Sequence, residues 1–403
     1  MAETGNALLA AYNAASAGTH LQVQCDSFDT GLRMWLIEAG VRYQAVQSAS
    51  GAWHIEIVRG RSPGQGTVPG LHHLTGGCSG IIWTCERAQR VAAIECASRR
   101  ILWCAEVAKK ASHLVIDADA RSLFVADSAA DALLVIDAGN GKLHSSHSAP
   151  GRPQLPLITR DGIVCVTGGG SGTLTLLRRR AHGRFQAQIL NVGIAPHDPI
   201  ATQDGKFLFV PCAGEGSVVR VRLHDGRITG RFPVGDGPTH LAIHPDGSRL
   251  YVANTFAGTL TCLSIEGDLL GQAYSGRWAH VPAITPDGRW LYVANFHDDT
   301  LTLFDAGTLD RIATLDTDPY PHGLDITPDG RHVIATGFSS DCVRLYSAGQ
   351  HKQLARIRVG AGSSHTCFTR GRQLAWIACS VSDHLACVDI EKQACIDVLR
   401  LPA

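Results

Sequence analysis

Short apolar runs of five or six residues recur along most of the chain at one long period, and each recurrence begins just after a single polar position. Those positions are His73, His113, Gln154, His197, His240, His280, His322 and His365, spaced 40 to 43 residues apart. The last seven open similar blocks, clearest in HLAIHPDGSRLYVAN from His240 and HVPAITPDGRWLYVAN from His280, and traceable in HDPIATQDGKFLFVPC and HGLDITPDGRHVIATG. Within a block the pattern predicts an inner strand, a P-D-G or similar turn, a second strand ending LYVAN, a polar turn, a third strand such as TLTLFDA and a fourth such as RIATLD. Asp-Gly pairs at Asp161–Gly162, Asp204–Gly205, Asp246–Gly247, Asp287–Gly288 and Asp329–Gly330 supply the positive-φ chemistry for the first turn. Four strands in this period are the signature of a β-propeller blade.

Counting from His113 gives seven blades but leaves GIIWTCERAQRVAAIECASRRILWCAEVA, with three strand signals, unplaced. Adding the segment from His73 makes eight, with His72 competing for its first polar slot. The fold class expected is therefore mainly β, an eight-bladed propeller over 73–403, with seven blades plus an edge subdomain as the alternative. Residues 1–60 read differently, as a small α/β two-layer sandwich lobe. They suggest a helix over Gly5 to Ala17, a strand LQVQCDS, a helix DTGLRMWLIEAG and two strands joined near Ser50–Gly51. Leu32, Trp35, Leu36 and Ala39 give the second helix one apolar face, and Gly40 stops it. Residues 61–72, rich in glycine and proline, read as a linker.

Charge narrows the partners. Lysine plus arginine equals aspartate plus glutamate at 36 each, so nothing in the net charge draws nucleic acid or an anionic membrane. No apolar stretch approaches the roughly 18–20 residues of a membrane span. The amino terminus lacks a basic n-region, which points to the cytoplasm. Thirteen cysteines, an odd number without a C-x-x-C pair, read as thiols rather than disulfides or a zinc ribbon.

The blade motifs resemble YVTN-type propeller repeats, named for the tetrapeptide that LYVANT and LYVANF approximate; the likeness covers 73–400 and is strongest from 237 to 345. Eight blades with histidine at the inner-strand entrances are also similar to the haem-d1 domain of cytochrome nitrite reductases and their assembly relatives. The amino-terminal lobe resembles the later three-quarters of the TusA/SirA-like sulfur-carrier fold, in its order of elements and in the W-L-x-E-A-G ending of the second helix. It lacks that family's C-P-x-P motif, and Cys25 lies in a later strand. That departure implies a docking or regulatory lobe for a protein partner, not sulfur transfer.

Imidazoles converging on one channel mouth could hold copper or zinc, ligate a haem-like tetrapyrrole or shuttle protons. The candidate cofactor-binding set is His113, His197, His240, His280, His322 and His365. Within it, His197, His240, His280 and His322 have the best-aligned contexts and are the candidate metal ligands. The competing reading is that histidine belongs to the repeat's structural grammar and hydrogen-bonds a neighbouring blade. A second ring is expected at the ends of the second strands, Cys85, Asp127, Cys212, Asn254, Asn295 and Cys379, either as soft ligands or as turn caps. His297, Asp298 and Asp299 resemble a metal cluster but fall at a blade turn. The functional expectation is a cofactor-binding propeller with copper or a haem-like tetrapyrrole in its channel and a redox or cofactor-assembly role. The alternatives are a non-catalytic interaction scaffold and a lactonase-like or thiol-oxidising enzyme.

Overall fold

In the computed structural model, residues 20–25, 36, 42–48, 53–58, 71–76, 80–86, 89–369 and 373–402 are described. The chain divides into two compact units, Met1–Val68 and Pro69–Ala403.

In the first unit the strands His20–Cys25, Arg42–Gln47 and Trp53–Val58 form an antiparallel sheet with the last strand in the middle. Ile55 and Ile57 alternate onto its buried face. The two expected helices, apart from Leu36, lie outside the described residues.

The second unit is built from eight four-stranded antiparallel sheets. Their inner strands are Leu71–Gly76, Ala111–Ile116, Pro153–Ile158, Ile200–Ala201, Pro238–Ile243, Ala279–Ile284, Pro321–Ile326 and Ser363–Phe368, which we number as blades 1 to 8. Each sheet uses four consecutive strands, so eight blades replace the seven-blade alternative. Blade 1 starts at Leu71, inside the stretch expected as linker, because its histidine lies two residues into the strand and not at its start.

The second strands are apolar along their length because both faces are buried. In blade 5, Leu250 and Val252 pack on Phe209 of blade 4, while Tyr251 between them packs on Leu291 and Val293 of blade 6. Outer strands face solvent on alternate residues, as in Leu269–Tyr274 and Arg311–Asp316. The Asp-Gly turns form as expected. Gly247 has φ +75° and Gly330 φ +71°, and the preceding Asp246 and Asp329 carboxylates accept the amides of Ser248 and Arg331 at 2.8 and 3.1 Å.

Among the described residues no strand is shared where the ring closes. Blade 8 meets blade 1 through side chains, with Trp376, Ala378, Leu385 and Cys387 packed on Leu74, Ile82 and Ile94. An Arg99–Asp397 ion pair at 3.0 Å lies on the same seam.

Candidate functional site: an arc of imidazoles

Every blade but one contributes a histidine near the start of its inner strand, and a β-bulge sits at that point in most of them. The register shifts by one residue between Pro238 and His240, between Ala279 and Pro282, between Pro321 and Leu324, and between Ser363 and Thr366. Bulges of this kind re-aim a side chain and commonly lie beside functional sites.

The resulting rings touch one another in sequence order. Centroids are 4.9 Å apart for His197 and His240, 4.2 Å for His240 and His280, 5.4 Å for His280 and His322, and 5.3 Å for His322 and His365. The series crosses the seam, with His365 and His73 at 4.7 Å and His73 and His113 at 4.8 Å. His113 and His365 also meet directly at 5.4 Å, so these last three rings form a triangle. All six histidines expected from the sequence therefore lie together, and His73 joins them. Gln154 of blade 3 leaves the arc open between His113 and His197.

Burial holds four of these imidazoles, His73, His197, His240 and His280, towards the neutral form. His73 and His197 are each pushed down to about 4 by loss of hydration, the latter partly offset by its bond to the Thr239 carbonyl. His240 and His280 fall well below 6.5, first through burial and then through neighbouring imidazoles that would repel a second charge. Hydrogen bonds are mixed. His197 Nδ1 donates to the Thr239 carbonyl of the next blade at 3.1 Å, and His73 Nδ1 accepts the Leu114 amide at 3.5 Å. His240 Nδ1 lies 3.1 Å from the Thr239 hydroxyl. The buried His280 Nδ1 has no hydrogen-bond partner among the described residues. Among those residues, no three His, Cys, Asp or Glu side chains already gather their donor atoms as a metal cage.

Two carboxyls lie beside the arc, Asp198 just before the inner strand of blade 4 and Asp325 within that of blade 7. Asp198 follows His197 and is raised by burial to about 7. Asp325 lies three residues past His322 and is raised by burial to about 6, against the opposing effect of the Thr366 hydroxyl that donates to it. Both keep some exposed surface while enclosed by protein, as groups lining a narrow lumen do. The signal for them was present in the sequence, since HGLDIT and HDPIAT each carry an aspartate one to three residues past the recurring histidine.

Sequence reasoning also missed an aromatic wall over blades 5 to 7. Phe296 stands 5.8 Å from His280 and 5.0 Å from Tyr320, and Phe338 stands 5.8 Å from His322. Trp278 stacks on His297 at 3.8 Å and 17°. Trp278 and Tyr320 each have φ +58° immediately before an inner strand, a left-handed conformation that bulky residues rarely adopt.

The second ring is a set of buried staples rather than ligands. Asn254 Oδ1 accepts the Gly235 amide at 3.0 Å while its Nδ2 donates to Thr259 and Thr261 at 3.0 and 2.8 Å. Asn295 repeats this with Ser275, Thr300 and Thr302. Asp127 accepts the Lys109 and Lys110 amides at 2.7 and 3.0 Å. The Cys212 and Cys379 thiols, pushed up to about 12 by burial, donate to the Val192 and Val359 carbonyls. His297, Asp298 and Asp299 diverge. Asp298 pairs with Arg277 at 2.6 Å, and Asp299 accepts the Tyr320 amide at 3.0 Å.

Comparison with known proteins agrees with this architecture. No curated protein sequence matches the chain. Among solved structures, the dihydro-haem d1 dehydrogenase NirN in complex with DHE is similar with a TM-score of 0.62 at 16% identity, covering 79% of this chain and 73% of that one. Hydrazine synthase of Kuenenia stuttgartiensis gives 0.56 at 14% identity, covering 82% and 98%. Sqt1 of Saccharomyces cerevisiae gives 0.70 at 9% identity, covering 83% and 97%. Likeness at these identities establishes the fold. No helix among the described residues is long and apolar enough to cross a membrane. The family described as lactonase, 7-bladed β-propeller, matches residues 191–354 and 313–400, which together span just over half of the sequence. The chain belongs to that lactonase-type propeller family, here with eight blades.

Proposed function

We propose that this protein is a cofactor-binding propeller whose imidazole arc holds a metal ion or a haem-like tetrapyrrole, in a redox or cofactor-assembly role. One observation carries the reading: seven imidazoles in continuous ring contact, with His73, His197, His240 and His280 held neutral by burial. Neutral imidazole is the form that ligates iron, copper and zinc. The residues present fit such a group. His197 Nδ1 is engaged by a carbonyl, which leaves Nε2 to ligate, and the His280 Nδ1 has no partner among the described residues. His197, His240, His280 and His322 would hold a bound tetrapyrrole, which would supply electron-transfer chemistry. The amino-terminal unit would then serve as a docking lobe for a protein partner.

The test is the absorption spectrum and elemental content of the protein purified from its own cytoplasm. A Soret-type band, or stoichiometric copper or zinc, is expected; a colourless and metal-free protein overturns the reading.

A non-catalytic scaffold is the second reading, favoured by the inter-blade bonds of His197 to Thr239 and His73 to Leu114. It predicts that alanine at His240 and His280 leaves every binding property unchanged. Family membership favours a third, lactone hydrolysis with a neutral arc imidazole as general base. Turnover of a simple lactone abolished by His240→Ala would establish it.

A further inference from the structure

We infer that His73, His113 and His365 form a three-histidine site for a single zinc or copper ion, and that the ion clamps the propeller shut across its seam. The inference rests on the cofactor-binding reading of the arc but assigns a different set of residues from the four aligned histidines of blades 4 to 7.

The geometry sets these three apart. Elsewhere each ring touches its neighbours in series, whereas His73, His113 and His365 touch one another pairwise at 4.7, 4.8 and 5.4 Å. An imidazole bound to a metal through one nitrogen, at a bond of about 2.0–2.1 Å, places its centroid about 3.2 Å from the ion, so three on a tetrahedral centre stand about 5 Å apart. The observed spacing is that of a three-histidine site. The rings are inclined at 63°, 64° and 84°, and their nitrogens are not yet gathered. His73 Nδ1 faces the Leu114 amide, which leaves Nε2 for the ion. Three nitrogen donors and an open fourth position suit zinc or copper and not calcium or magnesium, which take oxygen.

The position supplies the consequence. His365 belongs to blade 8, His73 to blade 1 and His113 to blade 2, so the triangle bridges the junction where the propeller's first and last blades meet. Among the described residues no strand crosses that junction; side-chain packing, the Arg99–Asp397 pair and side-chain hydrogen bonds from Cys367 to the Gly76 carbonyl and from Arg90 to the Pro402 carbonyl hold it. An ion bound only by the closed ring stabilises it by mass action.

The experiment uses the full chain, stripped with chelator and titrated with zinc(II) by calorimetry, and with cobalt(II) for the visible absorption of a four-coordinate site. One equivalent of zinc is expected, with a rise in melting temperature of about 3 °C or more at saturation. His73→Gln, His113→Gln and His365→Gln should each weaken zinc by about 100-fold and abolish the thermal shift, while His224→Gln, at an exposed turn between the third and fourth strands of blade 4, keeps both. Melting of each metal-free variant confirms that it folds. Zinc binding lost in His280→Gln but kept in the three variants overturns this site while leaving the cofactor reading intact. Absence of zinc and cobalt binding by the wild type also overturns it, and the spectrum of the freshly purified protein then judges the cofactor reading separately. Binding without a thermal shift overturns the clamp.

Discussion

His240 and His280, on adjacent blades, have ring centroids 4.2 Å apart, the shortest spacing between neighbours in the arc. Burial first, and then the charge that His280 would carry, hold His240 well below 6.5. His280→Ala should therefore move the titration of His240 upward, towards the ordinary value, because it removes a repelling neighbour and admits water. Nitrogen-15 NMR of the imidazoles reads this directly. An unchanged His240 would mean the two rings do not sense each other.

Six groups in and beside the arc set its contribution to the pH dependence of stability. His73, His197, His240 and His280 have folded pKa values below the unfolded 6.5, with His73 and His197 at about 4. Between pH 6.5 and about 4 the unfolded chain binds protons that the folded chain refuses, so these four lose stability as pH falls. Asp198 and Asp325, raised to about 7 and about 6, act oppositely, because the folded form takes their protons first. Four groups outweigh two. The urea midpoint should be lower at pH 4.5 than at pH 7.5, and a midpoint that rises on acidification would show that the carboxyls dominate.

Asp325→Asn tests the opposing pair. At pH 8 the wild-type carboxylate is ionised in an enclosed lumen, at a cost that the amide avoids while still accepting the Thr366 hydroxyl. The variant should gain about 1–2 kcal/mol at pH 8 and little at pH 5, less than the full shift implies because the lumen hydrates the group. Chemical denaturation at both pH values measures the difference.

The staples of the second ring are structural, and Asn254→Ala measures what one contributes. Truncation leaves the Gly235 amide and the Thr259 and Thr261 hydroxyls without this partner in a fully buried setting. A loss of about 2–3 kcal/mol is expected. A cost within about 0.5 kcal/mol would mean that water replaces the side chain.

Most of the fold was legible because the second strands are buried on both faces and read as unbroken apolar runs such as LYVA, punctuated by Asp-Gly turns whose glycines do take positive φ. The arc was legible for a similar reason, since a polar residue recurring beside an inner strand marks one position in every blade. What escaped depends on how blades sit against one another. The contact of His73 with both His113 and His365 arises at the seam, between residues 40 and 292 positions apart. Trp278, Phe296 and Tyr320 occupy turns whose composition varies from blade to blade, so no repeat signal exposes them. For the thiols of Cys212 and Cys379 the sequence left soft ligands and turn caps both open, and they are buried donors to backbone carbonyls.

The closure without a shared strand also bears on how such a ring can change size. Where a terminal strand completes a blade begun at the other end, adding a repeat disturbs a hydrogen-bonded sheet. Here each blade is a complete four-strand unit encoded in one stretch of 40-odd residues. Duplication or loss of one stretch inserts or deletes a whole wedge and leaves every sheet intact. An eight-bladed member of a family named for seven blades thus needs only one added unit, and each such unit brings one more residue to the channel mouth.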